Sequence, residues 1–201
     1  MSINLALFAS GTGSNALNLL ETARTLKRVK FKLLVVDQPA SPLPARVRTD
    51  FPDLNVLVCP FPAGSDLSQK RLAHEALILN ELRAHEVDWI FLAGYMRIIG
   101  PTLLLPYTQS GKSRIINIHP SLLPAYPGLN AYENAFRANE KQSGVTIHRV
   151  DSGVDTGPIL VQQSFERLNA DTLAHFIERG KSIEWKLYGD VLKKLDELGD
   201  L

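Results

Sequence analysis

Asn117 and His119 stand two residues apart in Ile116-Asn117-Ile118-His119-Pro120-Ser121-Leu122-Leu123-Pro124, and Asp155 follows some three dozen residues later in Val154-Asp155-Thr156-Gly157-Pro158. Alternation with Ile116 and Ile118 puts both polar side chains on one face of a strand and the isoleucines on the other. Pro120 ends that strand. Two donors side by side at the carboxyl end of a strand can receive the negative charge that develops on a carbonyl oxygen, and a carboxylate in a glycine-flanked turn can hold the imidazole charged. The chemistry indicated is acyl or formyl transfer. Each motif alone also has a plainer reading, Asn-x-His as a satisfied core pair and Asp-x-Gly-Pro as a turn.

A second group of residues could hold an anion. Gly11-Thr12-Gly13-Ser14-Asn15 follows an apolar, β-prone run from Ile3 to Ala9 and precedes Leu17, Leu20 and Ala23 at helical spacing. Backbone N–H groups and a helix N-terminus would together cradle a phosphate, with glycines permitting close approach. Ala16 occupies the third glycine position of a dinucleotide fingerprint and no Gly-Lys-Ser/Thr follows, so a monophosphate fits better than a dinucleotide. The alternative is a tight turn in which Ser14 or Asn15 caps the helix.

The elements that must position these groups read as strands and helices in alternation. Strands are expected at 31–36, 55–59, 88–93 and 114–118, and a helical stripe of Leu72, Ala76, Leu79 and Leu82 predicts a helix over 67–84. The prolines between Gln38 and Pro44, and those of the 121–128 segment, read as loop. A helix over 130–139 is followed by strands at 145–150 and 159–165, which bracket the Asp155 turn closely enough to pair antiparallel. The last helix, 171–195, contains Gly180, a local weakness of about 1 kcal/mol relative to Ala. The order predicts a single α/β domain, an open and mostly parallel sheet with an antiparallel addition near the C-terminus.

Composition narrows the partners. The 201 residues suffice for one core, and a net charge of +1 gives no nucleic-acid or membrane footprint. The longest apolar runs are too short to span a bilayer. Ile3 opens a strand with no basic and apolar leader ahead of it, and Cys59 is the only cysteine, so a reducing, cytoplasmic setting is expected. The five histidines, 74, 85, 119, 148 and 175, show no metal-ligand spacing, and no metal is expected.

The Asn-x-His-x-Ser-Leu-Leu-Pro strand end with its later Asp-x-Gly-Pro turn resembles the signature of the formyltransferases that use 10-formyltetrahydrofolate. The resemblance runs from Ala9-Ser10-Gly11 to the last helix, and it is to those members that formylate glycinamide ribonucleotide in purine synthesis. It implies a Rossmann-like fold with about seven strands and helices on both faces. It implies catalytic roles for Asn117, His119 and Asp155, and ribonucleotide binding by Gly11, Thr12, Gly13, Ser14, Asn15 and Glu184. It places Arg71, Leu92, Met96, Arg97, Ile98, Ile99 and Val150 along the folate pocket, with His148 beside the catalytic group. Residues 1–100 would form a phosphate-binding half and residues 101–201 a catalytic and folate-binding half, acting as monomer or homodimer.

Without the resemblance, Glu184 and Arg71 are helix-surface residues and His148 is a packing residue. The chain departs from the family at 37–44, where a Ser-Asn segment is usual, at Asn130, Lys181 and Trp185, and in a longer link at 108–113. Two sister activities share the Asn-His-Asp set. A methionyl-tRNA formyltransferase would need an RNA-binding domain and basic surface, and a formyltetrahydrofolate hydrolase an N-terminal regulatory domain. A formyltransferase for another sugar amine, or a non-catalytic folate- or nucleotide-binding regulator, also remains open.

Overall fold

The computed structural model describes residues 2–201. In chain order its elements are β1 (Ile3–Ala9), α1 (Ser14–Ala23), β2 (Val29–Val36), α2 (Leu43–Asp50), β3 (Asn55–Val58), α3 (Leu67–Ala84), β4 (Trp89–Leu92), α4 (Pro101–Leu104), β5 (Thr108–Gln109), β6 (Lys112–Ser113), β7 (Ile115–His119), α5 (Ala131–Arg137), β8 (Gln142–Arg149), β9 (Ile159–Glu166) and α6 (Leu173–Leu198). Seven strands form one sheet in the order β3-β2-β1-β4-β7-β8-β9. The first five of that order run parallel, while β8 pairs antiparallel with both β7 and β9.

Parallel strands covered on both faces must be apolar on both, and β1 is buried almost throughout. On one face Leu19, Val47, Leu187 and Leu192 bring α1, α2 and α6 over the sheet. On the other, Ile78, Leu82 and Leu103 do the same for α3 and α4. The chain leaves β1 toward β2 and β3, then returns to β4 on β1's other side. The carboxyl ends of β1 and β4 therefore flank a topological switch point, where open α/β sheets leave a crevice for ligands.

Three short features depart from the expected elements. The proline-rich 38–44 stretch gives way to α2, because Pro44 lies in its first turn, where a missing N–H costs no helical bond. Gly100-Pro101 opens the single turn α4. The long link at 108–113 closes on itself as the ribbon β5–β6.

Gly180 has a packing reason. A Cβ there would stand 2.2 Å from the Tyr132 hydroxyl, so the bare backbone makes room for that ring against α6. Farther along α6, the buried Tyr188 hydroxyl lies 3.0 Å from the carbonyls of both Leu92 and Ile116, tying the helix to the neighbouring strands β4 and β7. No described helix is long and apolar enough to cross a membrane.

Candidate active site

Strand β7 carries Asn117 and His119 toward the crevice while Ile116 and Ile118 join the core. Register then decides their neighbours: β8 sets His148 opposite Asn117 and Thr146 opposite His119. Beyond β8 the chain turns through 151–158 and returns as β9. That turn is pressed onto the sheet, since a Cβ at Gly157 would stand 1.8 Å from the Arg149 carbonyl oxygen. Asp155, at φ 54°, is thereby aimed back at β7.

The Asp155 carboxylate joins the group. Its Oδ2 lies 3.2 Å from His119 Nδ1 and accepts the Gly128 N–H at 2.8 Å. Its Oδ1 lies 3.4 Å from His148 Nε2 and 3.3 Å from Asn117 Nδ2. Burial raises the Asp155 pKa, but the His148 ring, the Gly128 N–H and the charges of His119 and His148 outweigh burial, and the carboxyl sits below its ordinary range.

The hydrogen bonds constrain the protons. His119 Nε2 lies 2.8 Å from the Tyr126 carbonyl, which can only accept, so that nitrogen donates. With Asp155 at Nδ1, a ring protonated on both nitrogens donates to two oxygens. His148 Nδ1 likewise donates to the Arg149 carbonyl at 2.9 Å, and its Nε2 faces both Asn117 Nδ2 at 3.2 Å and the Asp155 carboxylate at 3.4 Å.

The three separations of 3.2, 3.3 and 3.4 Å form a nearly equilateral triangle. His148 Nε2 and Asp155 Oδ1 thus subtend roughly 60° at the amide nitrogen, half the spread of its two N–H bonds. A single N–H directed between them reaches both, an arrangement that leaves the other N–H for a ligand.

The loop after β1 approaches the same edge. Gly13 caps α1 in the left-handed conformation, with no side chain accepting from the first turn, so neither Ser14 nor Asn15 is the cap. Ser41 donates to the Gly11 carbonyl at 2.7 Å and steadies the loop. A Cβ on Gly11 would meet nothing within 4 Å, whereas one on Gly13 would meet Leu43 at 2.5 Å. The glycine at 13 is therefore required by backbone conformation and by packing on α2.

Glu184 is not a surface residue. It is 8% exposed, and its carboxylate accepts from Asn15 Nδ2 at 2.5 Å and from the Tyr132 hydroxyl at 2.7 Å. The pair joins the loop to α6. Tyr132 is pushed to a high pKa by burial and by Glu184, so it stays a donor.

On the other side, Met96 and Ile98 are exposed at 61% and 52%, while Leu92 and Ile99 lie buried in the core beneath them. Val150 packs against that core, and Arg71 crosses Gly100. Arg97 is bound by a residue with no assigned role, the buried Asp37, at 2.6 Å. Among the described residues, no cluster of three or more His, Cys, Asp or Glu could hold a metal ion.

A family model described as formyl transferase matches residues 3–192. The chain belongs to the formyl transferase family. Phosphoribosylglycinamide formyltransferase of Bacillus subtilis is 42% identical over 191 residues, which are 94% of this chain and 93% of that protein. The solved phosphoribosylglycinamide formyltransferase of Bacillus halodurans superposes with TM-score 0.86 at 39% identity, covering 98% of this chain and 97% of that one. Glycinamide ribonucleotide transformylase 1 of Geobacillus kaustophilus gives TM-score 0.86 at 39% identity over 97% and 99% of the two chains.

Sequence reasoning about this formyl transferase missed Tyr126 and Gly128, which hold His119 and Asp155 through backbone atoms alone. Backbone partners leave no side-chain signature, although Tyr126-Pro127-Gly128 does mark a turn. It also missed Thr146, whose hydroxyl donates to the Ser121 carbonyl at 2.6 Å and accepts from Leu123 N at 3.1 Å, bracing the loop after β7.

Proposed function

We propose that this chain transfers the formyl group of 10-formyltetrahydrofolate to the amine of glycinamide ribonucleotide, a step of de novo purine synthesis in the cytoplasm. The observation that carries the reading is the meeting of Asn117, His119 and Asp155 at the switch-point edge, beside an uncapped glycine loop. The relatives named for this reaction, similar over nearly the whole chain, support it.

In this reading the amine attacks the formyl carbon and the carbonyl electrons move onto the formyl oxygen. Asn117 gives that oxygen the N–H that His148 and Asp155 leave over. His119, whose two nitrogens already face Asp155 and Tyr126, contributes positive charge beside it. Asp155 holds that charge and, through water, takes the amine's proton and returns one to the folate nitrogen as its bond to the formyl carbon breaks.

The ribonucleotide phosphate meets the backbone N–H groups of Gly11, Thr12, Gly13, Ser14 and Asn15. Glu184, buried with both oxygens engaged by Asn15 and Tyr132, supports that loop rather than facing the sugar or amine directly. The donor lies along Met96 and Ile98, above Leu92 and Ile99 and beside Val150, with Arg71 and Arg97 toward its anionic end. The phosphate loop and most of the donor's bed, Arg71, Leu92 and Met96 to Ile99, thus fall in residues 1–100, and the catalytic group with Val150 in 101–201. The second half is therefore catalytic but carries little of the folate side, with Glu184 linking the two. Monomer and homodimer are both compatible with a site built from one chain.

The test is folate product formation with and without glycinamide ribonucleotide. Product that requires the ribonucleotide and equals the formylated amine supports transfer. Equal turnover without it indicates a hydrolase.

A further inference from the structure

Asp37 directly follows β2, at the place where dinucleotide-binding sheets keep an acidic residue for a ribose. Here that use is excluded by burial, because the Asp37 side chain is wholly covered. Its Oδ2 accepts from Arg97 Nε at 2.6 Å and from Gln38 Nε2 at 3.4 Å, while Oδ1 is buried without a partner. A carboxylate so enclosed is tolerated when a cation meets it, and Arg97 is the cation bonded to it.

The guanidinium is also fixed from a second direction. Its carbon lies 4.8 Å from the centre of the Phe61 ring, and Phe61 packs edge-on against His74 with ring centres 5.2 Å apart. His74 is held in turn by the Tyr95 hydroxyl at 2.9 Å and Cys59 Sγ at 3.5 Å. Lys70 Nζ stands 5.2 Å from the same Phe61 ring, so the patch stays positive despite Asp37. With Nε taken and one face stacked, the two Nη groups have no hydrogen-bond partner among the described residues. The Arg97 side chain is 33% exposed, between the exposed Met96 and Ile98.

We propose that Asp37 is a positioning residue for the formyl donor: its buried carboxylate, with Phe61, orients Arg97 so that the free Nη pair presents a ready fork to a carboxylate of the donor. This rests on the reading of Arg97 as a donor-side residue. A guanidinium held by Nε keeps its planar two-donor edge in one orientation and loses less freedom on binding than an unrestrained one.

The test measures KM for the donor, KM for the ribonucleotide and kcat in Asp37→Ala, Arg97→Ala, the double variant and Asp37→Asn. Arg97→Ala is expected to raise the donor KM roughly tenfold with kcat within about twofold, and Asp37→Ala to do nearly the same. The double variant should be no worse than Arg97→Ala, because Asp37 acts through that side chain. Asp37→Asn keeps an oxygen for Nε and should return the donor KM to within about threefold of wild type.

An unchanged donor KM in Asp37→Ala beside a raised one in Arg97→Ala overturns the proposal and leaves the reading of Arg97 standing. No effect of Arg97→Ala on the donor removes that reading and the proposal together. Equal rises in both KM values, or additive effects in the double variant, would make Asp37 a purely structural residue and also overturn it. Should Asp37→Ala fail to fold, Asp37→Ser against Asp37→Asn carries the same comparison.

Discussion

Gly157→Ala should disable the site without touching a catalytic side chain. The added Cβ would stand 1.8 Å from the Arg149 carbonyl oxygen and 2.9 Å from its carbon, where side chains essentially never approach within 3.0 Å. The turn or the strand must therefore retreat by about 1.2 Å. Arg149 is the fixed partner. It lies in β8 between two strands, its N–H bonds Pro158, and its guanidinium is tied to the carbonyls of Ser113 and Leu201. The 151–158 turn moves, and with it the Asp155 carboxylate, now 3.2 Å from His119.

A retreat of that size takes the carboxylate beyond hydrogen-bond reach. A displacement near 1 Å at a reacting group costs up to about 10²-fold, so kcat should fall by roughly 10- to 100-fold. Overpacking against backbone should also remove about 1–3 kcal/mol of stability. Steady-state kinetics with both substrates, paired with urea denaturation, separates the two effects. A Gly157→Ala enzyme that is destabilised yet keeps wild-type kcat would refute the reasoning, for it would show the sheet yielding and Asp155 holding its place.

Asn117→Ala should lower kcat by about 10² to 10³, the cost of one oxyanion donor, with both KM values little changed; a raised KM at full kcat would make it a binding residue. Gly13→Ala should cost about 1–3 kcal/mol in denaturant, from positive φ and the Leu43 clash, whereas Gly11→Ala should stay within about 0.5 kcal/mol. Since the folded pKa of Asp155 is depressed, its stabilisation is complete above the unfolded value of about 3.9 and is lost as pH falls through the folded value. The stability gap between wild type and Asp155→Asn should therefore be constant from pH 6 to about 4.5 and close below about 4, and a gap that widens in acid would contradict that sign.

Sequence alone determined the class of fold, because hydrophobic period is a local property. A buried parallel strand such as β1 is apolar at all but one position. The stripe of Leu72, Ala76, Leu79 and Leu82 predicted α3 over the same residues that form it, although Leu72 is exposed and Ile78 joins Leu79 and Leu82 in the core instead. It also determined that Asn117 and His119 share a face, since strand alternation leaves no other arrangement. What reaches them is a matter of distance in space.

Only the antiparallel register of β7 with β8, and a turn pressed against Arg149, bring His148 and Asp155 to that face. Glu184 looked like a surface residue because helical position does not reveal a partner; Asn15 lies 169 positions away and Tyr132 lies 52 away. Gly13 suggested room for a phosphate, yet its hydrogen points at Leu43 of α2, a helix its prolines had hidden. Asp37 and Arg97, 60 residues apart, meet because the loops after β2 and β4 converge at the carboxyl edge of one sheet. Periodicity and turn chemistry act over a few residues, whereas the pairing of charges and the filling of space are decided by which strands lie side by side.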